Sequence, residues 1–205
     1  MPESSPIARS PIRADERVAI LSGWEMVLTP PRSALGLADL SPLAKVLVRA
    51  RPAGHVAGRL GVPFGRAARD EHQVLVIGSG PGEWLLLGGI GTAAEVAAGV
   101  DPSDDGLVSV LDLTHGRALM RLSGAAAAKV LGKVCAIDLS ERVSPNGVAF
   151  RSSVAELTTD VVRDDVGATL SYLLHCERSS GQYLFDALLD AGREFGIGRD
   201  GFAPA

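Results

Sequence analysis

From residue 41 onward, apolar and polar positions follow the spacings of strands and helices in a regular order. Short apolar runs bounded by turn residues predict strands, and apolar positions at i, i+3, i+4 and i+7 predict helices with one buried face. The predicted strands cover residues 46–48, 74–77, 84–87, 107–113, 117–122, 148–157, 161–162 and 170–176. The predicted order is therefore β-α-β-β-α-β, followed by β-α-β-β-β-α once the helices are added.

Each predicted helix has a start signal. Pro52 suits the first turn of a short helix that runs through Leu60. The other helices begin near a serine or threonine, with capping boxes of the form Ser/Thr-x-x-Glu/Gln in two of them. These pairs are Thr92 with Glu95 and Ser179 with Gln182, and Ser123 is the predicted cap of the remaining helix. Pro145, Asn146 and Gly147 predict a turn, and Gly196 and Gly198 predict the end of the last helix.

The element order predicts an α+β fold of two similar β-α-β-β-α-β-like halves, with helices packed on antiparallel sheets. We place this domain at residues 39–205. Five prolines interrupt residues 1–38: Pro2, Pro6, Pro11, Pro30 and Pro31. We expect these residues to form an extended arm that either stays mobile or lies along a partner. The last strand alternates Tyr172 and Leu174 with Ser171 and His175, which predicts one core face and one polar face.

Composition narrows the class of protein. The chain has 205 residues, of which 46% are hydrophobic and 21% charged, as in a globular domain. A net charge of −4 and 4% aromatic residues argue against nucleic-acid binding. Neither a signal peptide nor a membrane span is apparent, so we expect a cytoplasmic protein. Cys135 and Cys176 form no CxxC pair and are predicted to be buried thiols in a reducing compartment.

A glycine-rich run at residues 78–82 invites comparison with phosphate-binding loops. Such loops work because a helix N-terminus follows them and directs N–H groups at the anion. Here a predicted strand follows, and Pro81 lacks an N–H group. The run therefore predicts a hairpin turn.

Four further polar groups are candidate sites. Residues 112–116 (Asp-Leu-Thr-His-Gly) contain His115, a candidate general base or ligand contact, but the run is typical of a structural turn. Adjacent Asp164 and Asp165 resemble paired carboxylates, but Gly167 favours a solvated hairpin tip. Asp138 with Glu141 is a candidate cation site. Arg178 is a candidate contact for an anion or for a partner. Because no set converges, we predict no catalytic, cofactor-binding or metal-binding residue in this chain.

Several segments resemble the T-protein of the glycine cleavage system and its folate-binding relatives. They are residues 112–117, residues 122–127, Val130 with Leu131, and Asp138 with Leu139. The match is closer to the gamma subunits of heterotetrameric sarcosine oxidase. Those subunits show an early Ser-Pro-Leu/Ile, here residues 10–12 or 41–43, and Gly-Pro-x-Glu-Trp-Leu-Leu, here residues 80–86. The C-terminal part of those subunits is similar to residues 177–179, which lead into the last predicted helix. The whole resemblance covers about residues 10 to 195.

This resemblance implies a non-catalytic subunit with a T-protein N-terminal-like fold. Its complex would demethylate sarcosine oxidatively to glycine, with formation of hydrogen peroxide and methylenetetrahydrofolate. The alpha, beta and delta partner subunits would hold FAD, FMN, NAD, tetrahydrofolate and zinc, and this chain would bind no cofactor and pack mainly on the large alpha subunit. Two other functions stay open: a small stand-alone folate-binding domain and a free-standing regulator.

Overall fold

The computed structural model describes residues 6–13, 18–28, 34–102 and 106–202. We number the elements of these residues in chain order. The strands are β1 (Ala8–Arg9), β2 (Val18–Leu21), β3 (Trp24–Val27), β4 (Leu35–Asp39), β5 (Leu43–Arg49), β6 (Ala67–Arg69), β7 (Leu75–Gly80), β8 (Glu83–Ile90), β9 (Ser109–Asp112), β10 (Arg117–Gly124), β11 (Ala149–Val154), β12 (Leu157–Arg163), β13 (Ser171–Glu177) and β14 (Gly198–Asp200). The helices are α1 (His55–Leu60), α2 (Ala93–Ala98), α3 (Ala127–Val134) and α4 (Gly181–Gly192), with 3₁₀ turns at Arg178–Ser180 and Arg193–Phe195.

The chain after β4 repeats one topology twice. Elements β5 to β9 and elements β10 to β14 both run β-α-β-β-β-α-β. The first set forms a five-stranded sheet in the order β6-β7-β8-β5-β9, and the second forms a six-stranded sheet in the order β11-β12-β13-β10-β4-β14. When β4 is left out, the strands follow the same order in the two sheets: β5 corresponds to β10, and β6 to β9 correspond to β11 to β14. The predicted α+β fold of two similar halves is confirmed, with one more strand in each half.

Side-chain alternation along the strands builds four layers. Leu119 of β10 and Leu173 of β13 belong to a core shared with Leu85 and Leu87 of β8. Their neighbours in sequence point the other way, where the six-stranded sheet is covered by α3 and α4 and the five-stranded sheet by α1 and α2. Successive strand residues face opposite sides of a sheet, so each sheet is buried on both faces. The strand β13 therefore has two buried faces, and the prediction of one polar face was wrong.

The described part of residues 1–38 differs from an extended arm. Strands β1, β2 and β3 form a small sheet whose Trp24 and Met26 are buried against the main body. Strand β4 lies within the six-stranded sheet, where it pairs with β10 and β14. The sequence signal for strand β4 is the alternation of apolar residues at Leu35 and Leu37, which are both buried. The domain division itself stays a prediction, and Pro2, Pro30 and Pro31 lie outside the described residues.

Other boundaries differ because of local turn chemistry. The predicted strand 148–157 is a hairpin of β11 and β12, joined at Ala155 and Glu156. Both turn residues have a positive φ, as a two-residue turn of this kind requires. Asn-Gly is the usual sequence for such a turn, because these residues adopt positive φ readily. The sequence thus contained no hairpin signal at this point.

The predicted caps do not form. Thr92 donates its hydroxyl to the Gly89 carbonyl at 3.0 Å, and Ser123 lies inside β10, opposite Ser171. The Gln182 amide bonds Asp186, and α4 begins through the 3₁₀ turn that contains Ser179. Helix α1 begins at His55, later than Pro52 predicts. Among the described residues, no helix is long and apolar enough to span a bilayer.

Two neighbouring leucines test the orientation of α4. Leu188 is fully buried between α4 and the six-stranded sheet, whereas Leu189 is only partly buried. We expect Leu188→Ala to lower the free energy of unfolding by about 2–5 kcal/mol, since it leaves a cavity. The matched variant Leu189→Ala should cost about 1 kcal/mol. Equal losses in urea denaturation would contradict this orientation.

Candidate functional site

A cavity of about 220 Å³ lies between the two larger sheets. Its floor is apolar and comes from both sheets. The floor side chains are Leu47, Ile77, Leu85, Leu119, Leu173 and Val162. The lining also includes charged side chains from both sheets and Phe64, an exposed aromatic residue.

Three charged or polar side chains form a row across the six-stranded sheet. Arg151 on β11 lies directly opposite Asp160 on β12, and Asp160 lies opposite His175 on β13. The Arg151 guanidinium donates two hydrogen bonds to Asp160, at 2.7 and 3.2 Å. The His175 Nδ1 atom is 3.4 Å from Asp160 Oδ2. Cross-strand register therefore places all three polar groups side by side in the layer between the sheets.

The facing sheet supplies a second charged pair. Arg49 on β5 donates to Glu83 on β8 at 2.8 Å. Glu83 also lies 3.7 Å from Arg151, so this ion pair links the two sheets. On β10 and β13, Arg117 and Glu177 lie opposite each other and pair at 2.6 Å. The cavity is thus lined by charges of both signs, each with a partner within the chain.

Burial and pairing set the protonation states of the row. Burial lowers the pKa of His175 below its usual value, against the raising effect of the neighbouring Asp160. Burial also acts to raise the pKa of Asp160, but hydrogen bonds from His175 and Arg151 outweigh it and hold that pKa below its usual value. At neutral pH, Asp160 is therefore an anion and His175 is neutral.

The neutral His175 ring has a defined tautomer. An ionised carboxylate only accepts hydrogen bonds, so Nδ1 carries the proton that it donates to Asp160. The Nε2 atom is then an acceptor, and it is buried without a hydrogen-bond partner among the described residues. The side chain is 8% exposed and lines the cavity.

A buried lysine lies in the same layer. Lys45 on β5 is completely buried, and its Nζ atom donates to the Ser41 and Leu43 carbonyls, both at 2.7 Å. Burial lowers its pKa to about 7, although Asp39 and Asp112 act to raise it. The Lys45 amino group is thus held by two backbone carbonyls.

The glycine-rich run at 78–82 is the β7–β8 hairpin, as predicted. Gly82 has a φ of +72°, and a Cβ there would lie 2.4 Å from the Ala50 carbonyl oxygen. The turn therefore requires glycine for its backbone conformation and close packing, with no helix N-terminus to hold an anion.

The run 112–116 is confirmed as a structural turn. Asp112 accepts a hydrogen bond from the Thr114 N–H, and the Thr114 hydroxyl accepts one from the Lys45 N–H. The His115 ring stacks on Trp24, with centroids 4.7 Å apart and planes 4° from parallel. This turn thus fastens the small N-terminal sheet to the main body.

Asp164 and Asp165 lie in the predicted hairpin, but the prediction of a solvated tip was wrong. Their carboxylates are 12% and 16% exposed. Arg121 donates to Asp164 at 2.6 Å, and Arg163 donates to Asp165 at 2.9 Å. Arg69 also pairs with Asp164. Arg121 of β10 and Arg69 of β6 neutralise Asp164, which therefore links separate strands. Asp165 is neutralised by Arg163, two residues before it at the end of β12.

The remaining candidates have separate partners. Asp138 accepts a hydrogen bond from the Ser140 N–H, while Glu141 pairs with Arg163. Arg178 donates to the His115 and Arg9 carbonyls, so its contacts are internal to the chain. Cys135 and Cys176 are buried free thiols, as predicted, and burial raises the pKa of Cys176 to about 11.

The row of Arg151, Asp160 and His175 was missed in the sequence. The signal available was their position on consecutive strands of one meander, on the same face. The prediction of one strand over residues 148–157 concealed this row. The register of β11 against β12 depends on the turn at Ala155 and Glu156, which was not predicted.

Together these features define a class of protein: a repeated, four-layer α+β domain whose inter-sheet cavity is lined by mutually paired charges. Residues 71–203 match the GCVT N-terminal domain family. The chain belongs to that family.

Relatives agree with this assignment. An aminomethyltransferase of Geobacillus thermodenitrificans (strain NG80-2) is 26% identical over 85% of this chain, which spans 54% of that protein's length. A chain of the heterotetrameric sarcosine oxidase from Corynebacterium sp. U-96, solved in complex with pyrrole 2-carboxylate, has a TM-score of 0.68 and 26% identity. That match covers 83% of this chain and 90% of the other. Aminomethyltransferase T from Bartonella henselae shares the fold, with a TM-score of 0.69, 18% identity, and coverage of 90% and 55%.

The aromatic stack predicts a local effect at the N-terminal sheet. His115→Ala should accelerate amide hydrogen exchange in β2 and β3 and lower the free energy of unfolding by about 1 kcal/mol, because the Trp24 ring loses its stacking partner. The exposed His72 provides the control His72→Ala. Unchanged exchange in β2 and β3 would show that the stack does not hold this sheet.

The protonation of His175 predicts a pH dependence. Its folded pKa lies below that of the unfolded chain, so the unfolded chain takes up a proton first on acidification. Stability should therefore be full above about pH 6.5 and decline below it. In urea denaturation from pH 5 to 8, His175→Gln should flatten the decline. The control His72→Gln should keep it, and equal slopes in the two variants would reject this assignment.

Proposed function

We propose that this chain is the non-catalytic, gamma-type subunit of a heterotetrameric sarcosine oxidase. The complex would demethylate sarcosine oxidatively to glycine, with formation of hydrogen peroxide and methylenetetrahydrofolate. The observation that carries the proposal is the match to a whole chain of such an oxidase, since 90% of that chain is covered. By contrast, this chain spans only 54% and 55% of the aminomethyltransferases of Geobacillus thermodenitrificans and Bartonella henselae.

The electrostatics of the cavity support a structural role. A carboxylate that recognises a pterin or activates an amine must be free to bind the substrate. Asp160 is instead engaged by two guanidinium hydrogen bonds and by His175. Removing those partners would leave a buried charge unpaired, which is costly. The ionised Asp160, paired with Arg151 and His175, thus stabilises the fold.

Partners are part of this proposal. We expect alpha, beta and delta subunits, of which the large alpha subunit provides the main contact, and these chains would hold FAD, FMN, NAD, tetrahydrofolate and zinc. Strand β2 is at the edge of its sheet and exposes Val18, Ile20 and Leu21. Exposed apolar edge strands are ready to pair with another chain, which supports assembly.

A second candidate is a small stand-alone folate-binding domain. The family match and the carboxylate beside an apolar cavity floor favour it. Calorimetric titration of the full chain with tetrahydrofolate separates the two functions. We expect no binding, and stoichiometric binding would favour the second candidate.

Affinity purification from the native host tests the principal proposal. A tagged chain should bring down three other chains and visible flavin absorption, and the complex should form hydrogen peroxide when sarcosine is added. The untagged host serves as the control. A colourless chain without partners would overturn the proposal.

A further inference from the structure

The five-stranded sheet ends one strand earlier than the six-stranded sheet. Beyond β10 the six-stranded sheet continues with β4 and β14, whereas beyond β5 the five-stranded sheet continues with β9 alone. Strand β9 is thus an edge strand, and within the described ranges no strand pairs with its outer side. An edge of this kind can pair with a strand of another chain.

The place next to β9 matches the place that β14 fills next to β4. Although β9 corresponds to β14 in chain order, it lies directly beside β5 and antiparallel to it, as β4 lies beside β10. Both strands also end in the same kind of turn. The Asp39 carboxylate accepts the Ser41 N–H at 2.9 Å. The Asp112 carboxylate accepts the Thr114 N–H at 2.8 Å.

The backbone of β9 presents hydrogen-bonding groups to the open edge. The Leu113 N–H donates to the Lys45 carbonyl next to β5 at 2.8 Å. Antiparallel strands bond each other through alternate residues, so Leu111 also faces β5. The N–H and C=O groups of Val110 and Asp112 therefore point to the outer side, where a further strand would bond them.

The side chains at this edge are apolar and incompletely covered. Leu107 is 88% exposed and Leu111 is 46% exposed. Val110 is only partly buried, whereas Leu37, which likewise stands two residues before the turn aspartate, is fully buried. Leu37 has Arg199 of β14 beside it in the sheet. The same place in the fold is thus closed where a further strand is present and open at β9.

The filled place also indicates what kind of occupant fits the open one. Strand β14 has only three residues and runs parallel to β4. A second copy of this chain does not match this geometry, because two β9 strands related by a two-fold axis would run antiparallel. Each copy would also bring a net charge of −4 to the contact. A short extended segment of a different chain matches the vacant place.

We propose that a partner chain adds one extended strand, parallel to β9, to the open edge of the five-stranded sheet. Its backbone bonds the outward groups of Val110 and Asp112, and its apolar side chains cover Leu107 and Leu111. This mode of recognition is strand addition, in which the backbone supplies affinity and alternate side chains supply specificity. The inference rests on the proposed function in one respect, since it assigns the added strand to a subunit of the oxidase complex.

The variant Val110→Pro tests the pairing, because it removes an outward N–H group and leaves the bonds between β9 and β5 in place. The matched control Val110→Thr keeps this N–H group and a β-branched side chain. In affinity purification from the native host, Val110→Pro should recover about tenfold less of the partner subunits and flavin, as expected for one lost hydrogen bond. Val110→Thr should recover as much as the wild type. If Val110→Pro does not fold, Leu111→Lys at an exposed position should lower the recovery instead.

Amide hydrogen exchange measures the same edge in the wild-type chain. The amides of Val110 and Asp112 should exchange rapidly in the isolated chain and become protected in the purified complex. Capture of all partner subunits with these amides unprotected, or undiminished capture by the folded variants, would overturn strand addition and leave the oxidase proposal standing. A wild-type chain that captures no flavin-containing partner would overturn both.

Discussion

Two sheets packed face to face, with partly buried charges between them, impose the constraint on which the rest of the molecule depends. Burying a sheet face favours apolar side chains, but this layer also contains Arg151, Asp160, His175 and Glu83. Such groups are tolerated only when every charge is paired. Cross-strand register supplies the pairs: Arg151, Asp160 and His175 stand in one row, and Glu83 approaches the row from the other sheet. A one-residue slip in β12 would turn Asp160 away from both Arg151 and His175.

The repeated topology explains how one chain builds two such sheets. Each β-α-β-β-β-α-β unit covers one face of its sheet with its own helices and leaves the other face for its counterpart. Strand β4 breaks the symmetry, because it lies between β10 and β14 where the first unit has no equivalent. The N-terminal segment is therefore part of the second sheet, and its small three-stranded sheet is fastened by the Trp24–His115 stack and by Arg178.

Much of this architecture could be predicted from the sequence, because it depends on local patterns. Apolar runs located β5, β7, β8, β10 and β13, and the helical spacing located α2, α3 and α4. The candidate site could not be predicted, since it depends on register. The Ala155–Glu156 turn has the backbone of an Asn-Gly turn without its residues. Asp164 looked solvated because Arg121, which covers it, lies 43 residues away in sequence. Arg163, which pairs with Asp165, is only two residues away, but the pairing depends on where the hairpin turns.

The charges between the sheets stabilise the fold and take no part in chemistry, and replacement of Asp160 tests this role most directly. Asp160→Asn preserves the shape of the side chain but removes its charge. In the oxidase complex proposed above, assembled with this variant, turnover of sarcosine per bound flavin should equal that of the wild type, while the yield of complex should fall. A large loss of turnover in fully assembled complex would contradict the account, because it would assign the Asp160 carboxylate a part in the chemistry.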